Sequence, residues 1–261
     1  MTQALIFDVD GTLADTEDVH RQAFNQAFAA FGLDWQWDPA LYAELLRITG
    51  GKERIAGYLL RLELPRSEQQ RLQRLIPDIH SAKTRLYREL LERGRVPLRA
   101  GVLRLAREAR SAGVRLGIAS TTSPENIEPL LTAGFGAGSL EWFATIATGD
   151  VVEHKKPAPD IYNVALESLG LGPAAAIAIE DSAIGVRAAK AAGLFTVATP
   201  SRWTLEQDFT EADLVLESLG DPQEPLSTAD ERHVGGRYLS LERLLALHAA
   251  RGGGGVHAET H

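Results

Sequence analysis

The chain contains no cysteine, so disulfides, thiolate catalysis and cysteine-bound metals are excluded from the start. Positive charge is also scarce: 27 Lys and Arg stand against 35 Asp and Glu, a formal net charge of −8. A general nucleic-acid binder relies on clustered cations, so no nucleic-acid partner is expected. The deficit leaves room for an anionic small molecule, because a cleft can carry charge opposite to the global sign. Long apolar runs are missing too, and none approaches the ~18 residues of a membrane span. The N-terminus enters a strand-like run within a few residues, with no basic, apolar leader ahead of it. A cytoplasmic monomer with no membrane partner is expected. There is no internal repeat. The remainder is ordinary globular composition: 261 residues, 44% hydrophobic and 24% charged. That length buries a sizeable core, as one domain or as a core with an accessory domain.

The informative residues lie near the start. Ala4-Leu5-Ile6-Phe7 is short, apolar and followed by a turn signal, which reads as a buried strand. It runs into Asp8-Val9-Asp10-Gly11-Thr12-Leu13-Ala14-Asp15. Alternation along a strand sends Asp8 and Asp10 to one side and Val9 to the other. Gly11 lets the backbone leave in a conformation that a Cβ would resist. Carboxylates held this close repel unless a cation or a shared proton intervenes. The pair suits a site that binds Mg²⁺, with one Asp as nucleophile and the other as acid and base.

Beyond Asp15 the pattern is helical: Thr16 to about Phe31, Pro39–Ile48, Lys52–Leu60, and Pro65 to about Arg93. Thr16 is positioned to cap the first of these, with Glu17 and Asp18 in its opening turn. No convincing strand occurs there. The rhythm then changes. Strand-like runs at Val114–Ala119, Phe143–Ala147, Ala176–Ile179 and Phe195–Ala198 alternate with helical ones at Val102–Ala112, Pro124–Ala133, Asp160–Leu169 and Ala183–Ala192. Such alternation predicts an α/β fold, a Rossmann-like parallel sheet with helices on both faces. The expected division is a core of residues 1–15 and 94–220, with residues 16–93 as an inserted helical cap. Asp213–Leu216 is a candidate edge strand. In the extension, residues 221–261, Asp221–Gly236 reads as a loop and Leu239–Leu247 as a short helix, with disorder from Arg251 onward. His233, His257 and His261 lack the spacing of a metal site and are expected to face solvent.

A parallel sheet places its site at the carboxyl ends of the strands. Reading off those positions gives Asp8 and Asp10, then Ser120-Thr121-Thr122 before a helix start that suits an oxyanion. A third loop carries Glu153-His154-Lys155-Lys156-Pro157, and a fourth strand delivers Glu180-Asp181-Ser182. Each alone has a plain structural explanation: a turn, a helix cap, a surface charge. Together they bring carboxylates, a lysine and a hydroxyl to one spot from four elements.

Asp8-Val9-Asp10-Gly11-Thr12-Leu13, Ser120, Lys156-Pro157 and Glu180-Asp181 resemble, in order and spacing, the four motifs of the haloacid dehalogenase-like hydrolases. The resemblance covers residues 1 to about 220, including a helical cap between the first two motifs. It implies that Asp8 is the nucleophile that becomes an aspartyl phosphate, and Asp10 the general acid and then base. Ser120 would bind the transferring phosphoryl group and Lys156 would neutralise it. Mg²⁺ would be held by Asp181, the Asp8 carboxylate and the Asp10 backbone carbonyl, with Glu180 acting through the water shell. The dehalogenases lack the acid at the position of Asp10, which points to phosphate chemistry.

Within the proposed cap, Thr49-Gly50-Gly51-Lys52-Glu53-Arg54 is a Gly-rich turn with two cations. It reads either as a cradle for a second phosphate or as a helix start with solvated charges. His80, Lys83 and Tyr87 share one helix face by spacing, either solvated or lining the cleft. Glu17 and His20 lie at the first hinge, where His20 would bond a sugar hydroxyl or Asp10, or simply pack. Thr121, Thr122 and Asn126 join Ser120 as expected substrate contacts. The Thr49–Arg54 turn, the His80-x-x-Lys83-Thr84 segment and Ser120–Asn126 are similar to CbbY-type sugar-phosphate phosphatases. That resemblance implies a small phosphorylated sugar as partner, namely xylulose 1,5-bisphosphate, an inhibitor of Rubisco. β-Phosphoglucomutase and phosphoglycolate phosphatase are the enzymatic alternatives, with Thr12 a modest mark against the mutase. A non-catalytic binding module is the alternative of another class.

Overall fold

Six short apolar strands form the sheet: β1 (Ala4–Phe7), β2 (Arg115–Ser120), β3 (Phe143–Thr148), β4 (Ala176–Glu180), β5 (Phe195–Ala198) and β6 (Leu214–Val215). The computed structural model describes residues 1–93, 96–149 and 151–252. The strands are all parallel, in the order β3-β2-β1-β4-β5-β6. From β1 the chain builds outward to one edge, then crosses to β4 and builds to the other. The order therefore reverses beside β1, the place where such sheets open a binding crevice. Register sets Phe7 opposite Ile118 on one neighbour and Ile179 on the other. Asp8 and Asp181, just past β1 and β4, and Ser120, the last residue of β2, are thereby brought to one rim.

Alternation sorts the strand side chains between two layers. Leu5, Phe7, Leu116 and Ile118 pack with α5 (Val102–Ser111) and α6 (Ile127–Phe135) on one face. Ala4, Ile6, Ala119 and Ala178 pack with α7 (Asp160–Leu169) and α8 (Ala183–Ala191) on the other. This is the α/β sheet with helices on both faces that the rhythm predicts. A short 3₁₀ turn, Pro124–Asn126, occupies the start of the segment expected to be one helix over Pro124–Ala133.

Between β1 and α5 the chain forms α1 (Glu17–Ala30), α2 (Pro39–Leu45), α3 (Gly51–Arg61) and α4 (Arg66–Arg93), with no strand among the described residues there. These helices hold an apolar cluster of their own around Phe24, Phe28, Trp37, Tyr42, Leu45, Ile55 and Ile79. Trp37 sits between Phe24 and Phe28, with ring centroids at 4.7 and 4.8 Å. Outgoing and returning chain meet again: Ala14 bridges Leu98, and the Arg99 N–H donates to the Leu13 carbonyl.

Two local readings are corrected. The Thr16 hydroxyl makes no cap on α1; it donates to Asp10 Oδ1 at 2.5 Å. The Thr16 backbone is itself in the helical region, at φ −81° and ψ −13°, and not in the extended conformation that lets a side chain cap the following amides. The stretch expected to be a loop, Asp221–Gly236, contains α9 (Thr228–Val234), started by Ser227 capping Asp230 and ended by Gly235 at φ +70°. Its Pro and Gly content disguised these start and stop signals. The next helix, α10 (Leu241–Gly252), starts two residues later than expected and runs through Arg251. His257 and His261 lie outside the described residues, while His233 is exposed on α9.

Leu226, Val234, Leu239, Leu241 and Leu244 all join the apolar layer of α5 and α6. Replacing fully buried Leu244 by Ala should therefore lower stability by about 2–4 kcal/mol. Urea unfolding would show an earlier midpoint at constant slope. An unchanged midpoint would mean that the extension is dispensable to the core.

Candidate active site

Asp8 extends from the end of β1, its N–H held by the Ile179 carbonyl at 3.0 Å. Lys156 approaches from the loop after β3, and its Nζ donates to Asp8 Oδ1 at 2.7 Å, Glu180 Oε1 at 2.6 Å and the Ala119 carbonyl at 3.0 Å. Glu180 also accepts from the Tyr162 hydroxyl at 2.6 Å. Carboxylate oxygens of Asp8, Glu180 and Asp181 lie within 4.8 Å of one another, all buried. One ammonium faces three carboxylates. Burial, with Lys156 opposing it and Glu180 adding to it, pushes the Asp8 carboxyl up to about 7. Burial and then Asp8 and Glu180 push Asp181 well above the carboxylate range. Burial disfavours the Lys156 ammonium, but its two carboxylates outweigh that and keep it charged. The surplus negative charge and oxygen-only donor set fit a divalent cation of the hard class.

Gly11 makes this close packing possible. Its φ is +84°, and a Cβ there would stand 2.1 Å from Asp181 Oδ2. No side chain can replace it without displacing that carboxylate.

Asp10 sits in different surroundings from Asp8. Its Oδ1 accepts from Thr16 and lies 2.9 Å from His20 Nε2. His20 Nδ1 is 2.6 Å from the buried Lys83 ammonium, so Nδ1 accepts and Nε2 carries the hydrogen donated to Asp10. His20 is stacked on Tyr87 at 3.9 Å and 7°. Burial pulls Lys83 down to about 8, with Asp10 opposing it. Burial and Lys83 likewise pull His20 down, keeping it neutral against the attraction of Asp10. For Asp10 burial acts upward, but His20, Thr16 and Lys83 together outweigh it and hold the carboxyl well below its usual range. Asp10 is thus kept ionised, ready to take a proton.

Above this floor lies a cavity of about 110 Å³ roofed by the helical segment. Glu17, Gly50, Gly51, Arg54 and His80 line it from above, and Asp8, Asp10, Ser120, Thr121, Thr122, Lys156 and Asp181 from below. Arg54 Nη1 donates to the Tyr42 hydroxyl at 3.2 Å, which donates to Glu17 Oε2 at 2.7 Å. A Cβ at Gly51 would come within 2.6 Å of the His80 ring, so the turn and the α4 side chain are in contact.

Residues 2–193 match the haloacid dehalogenase-like hydrolase family. The chain belongs to the haloacid dehalogenase-like hydrolases. It is 48% identical to the plasmid-borne CbbY of Cupriavidus necator over 249 residues, 94% of this chain and 96% of that one. It is 51% identical to CbbY of Rhodobacter capsulatus over 211 residues, 81% of this chain and 91% of the relative. A crystal structure of a mutant CbbY from Rhodobacter sphaeroides with xylulose 1,5-bisphosphate matches with a TM-score of 0.77 at 48% identity, covering 84% of this chain and 95% of that one. With Asp10 present where the dehalogenases lack an acid, this family member is a phosphatase.

Four residues singled out from the sequence stand off the cavity wall. Glu180 lies beneath Lys156 with no exposed surface, and Lys83 behind His20. Asn126 is buried and donates to the Thr122 hydroxyl at 3.2 Å. Lys52 lines an adjoining groove with His80 and Lys155. Conversely, Thr16, Tyr42, Tyr162 and Thr204 support the site and were not anticipated in these roles. Thr204 donates to the Asp181 carbonyl at 2.7 Å. Their signal is faint because each is a common residue far from any motif; only Thr16, six positions after Asp10, lay close enough to suggest itself.

His20→Ala removes the donor that keeps Asp10 ionised. A carboxyl with a depressed pKa is deprotonated above that value, so losing His20 moves the transition upward. Where turnover is limited by a step that uses Asp10 as a base, the acid limb of the kcat profile should shift to higher pH in His20→Ala. An unmoved limb would show that His20 only packs.

Proposed function

We propose that the chain is a Mg²⁺-dependent sugar-phosphate phosphatase that hydrolyses xylulose 1,5-bisphosphate to xylulose 5-phosphate and phosphate. The carrying observation is a single cavity lined by cations from both sides, Lys156 from the core and Arg54 from the helical segment. A phosphate at each end of a small sugar suits that spacing of charge. The 48%-identical CbbY crystallised with xylulose 1,5-bisphosphate supports the same substrate.

In this reading Asp8 attacks the phosphorus of the C1 phosphate and the P–O bond to the sugar breaks. Asp10, ionised in the empty site, takes a proton from the phosphate monoanion as the substrate binds beside it and delivers that proton to the departing oxygen. Lys156 and the Ser120 hydroxyl, with the backbone amides that follow, hold the phosphoryl oxygens. Asp10, again a carboxylate, then takes a proton from the water that attacks the aspartyl phosphate, and phosphate leaves with Asp8 restored. Mg²⁺ on Asp8, Asp181 and the Asp10 carbonyl, with Glu180 behind, would offset the repulsion between carboxylate and phosphate. The helical segment, residues 16–93, would act as a cap that excludes bulk water and selects the sugar.

Asp8→Asn should reduce phosphate release by at least about a thousandfold while leaving the melting temperature nearly unchanged. Residual turnover near wild type would mean that another group attacks phosphorus. Comparing xylulose 1,5-bisphosphate with phosphoglycolate, and with β-glucose 1-phosphate plus catalytic glucose 1,6-bisphosphate, tests the substrate. The bisphosphate should be preferred, and equal turnover of phosphoglycolate or efficient isomerisation would overturn it.

Arg54→Ala should raise KM for the bisphosphate by roughly ten- to a hundredfold while changing KM for an aryl phosphate little. Equal changes for both would place Arg54 in service of the floor and not of a distal phosphate.

A further inference from the structure

The loop that follows β5 faces both the floor and the roof. On its core side the Thr204 hydroxyl donates to the Asp181 carbonyl at 2.7 Å and accepts from the Ser201 N–H at 2.9 Å. Three residues on, Gln207 Oε1 accepts from the Ala183 N–H at the start of α8 at 2.8 Å. Those bonds anchor the loop to the floor.

Trp203, next to Thr204, turns the other way. It packs on the apolar cluster of the helical segment, edge-on to Tyr42 with centroids 5.5 Å apart and planes at 84°. Its indole Nε1 is buried with no hydrogen-bond partner among the described residues, so ring packing and not a polar bond sets its orientation. Arg202 lies over the same ring at 5.0 Å, with its guanidinium 3.9 Å from Asp18 of α1. Tyr42 in turn holds Arg54 and Glu17, the two roof groups. Trp203 itself does not line the cavity.

Resting on the phosphatase reading, we propose that Trp203 is a positioning residue for specificity. It clamps the helical segment over the floor by seating against Tyr42, and so presents Arg54 to the far end of a bisphosphate. The clamp belongs to the core, since its anchors are Asp181 and α8, while its target belongs to the roof. A substrate that reaches Arg54 needs the clamp. An aryl phosphate, held by the floor alone, does not.

The test compares Trp203→Leu and Trp203→Phe in the full chain. Trp203→Leu should raise KM for xylulose 1,5-bisphosphate roughly three- to tenfold, the range of one edge-on aromatic contact. Its kcat, and its turnover of p-nitrophenyl phosphate, should stay within about twofold of the unmutated chain. Trp203→Phe, which keeps an aromatic ring, should recover most of the loss. In an Arg54→Ala background Trp203→Leu should add nothing further, because the group it positions is gone. Mg²⁺ affinity measured calorimetrically without substrate should not move. Equal losses on both substrates, full additivity with Arg54→Ala, or weakened Mg²⁺ binding would each show that Trp203 merely supports the metal loop and would overturn the proposal. Failure of the unmutated chain to release phosphate with Mg²⁺ would instead overturn the phosphatase reading, and this inference with it.

Discussion

Three buried carboxylates gathered around one lysine are the constraint on which the rest of this structure depends. Asp8, Glu180 and Asp181 would repel one another apart if Lys156 did not bond two of them directly. Even so the balance stays negative, and burial makes that imbalance costly. The sheet order answers a geometric need created by this chemistry. It sets the ends of β1 and β4 side by side, so that acids remote in sequence become neighbours without any loop having to reach. Tyr162 and the Ala119 carbonyl then satisfy the remaining polar atoms of Glu180 and Lys156. A hard divalent cation held there would complete the count.

Asp8 and Asp10 are two residues apart yet are pushed in opposite directions. Burial acts upward on both; at Asp8 Lys156 only partly offsets it and Glu180 adds to it, whereas at Asp10 His20, Thr16 and Lys83 together outweigh it. Opposed environments of this kind divide labour between two groups of one chemical type. In the proposed reaction, a bound cation and Lys156 would be the means by which the first becomes a carboxylate nucleophile. For the second, the neutral His20 backed by Lys83 keeps a proton acceptor in place. The backbone turn at Gly11 is what separates the two environments within so short a stretch.

The floor was legible in the sequence because Asp8, Ser120 and Asp181 stand at the ends of apolar strands, which must converge in a parallel sheet, with Lys156 reaching in from the loop after β3. The alternation of strands and helices was legible for the same reason. Supports from elsewhere were not. Nothing local to Tyr162, Tyr42 or Thr204 signals that its hydroxyl will meet Glu180, Arg54 or Asp181, since those meetings depend on how layers stack. The spacing of His80, Lys83 and Tyr87 showed a shared face but not its direction; the structure turns it inward, with Lys83 over the rings of Phe24 and Tyr87. The cap expected of Thr16 does not form because cap preference is a statement about helix ends in general, whereas here the Thr16 backbone is already helical and its hydroxyl is turned to Asp10. The helix at Thr228–Val234 was hidden by flanking Pro and Gly, which punctuate helices as readily as they make loops.

The groups at the strand ends and most of the groups that roof them lie on separate stretches of this chain, with Thr16 and His20 reaching down to Asp10. Floor residues are fixed by six hydrogen-bonded strands, which tolerate little displacement. Roof residues ride on helices with their own aromatic cluster, joined to the core through two adjacent crossings near Ala14 and Leu98. A segment so attached can move as a body while keeping its internal packing, so the affinity of the roof for a sugar depends on how firmly it is held down. Apart from the Thr16 and His20 bonds to Asp10, contacts that cross between the two bodies therefore act on how the roof is held without touching the floor carboxylates. Glu53 with Lys155 at 2.8 Å on one side and Trp203 with Tyr42 on the other are such contacts. An exposed ion pair contributes little and weakens with salt, whereas a half-buried aromatic edge does not. The aromatic side is thus the one that sets how tightly the roof closes at physiological ionic strength.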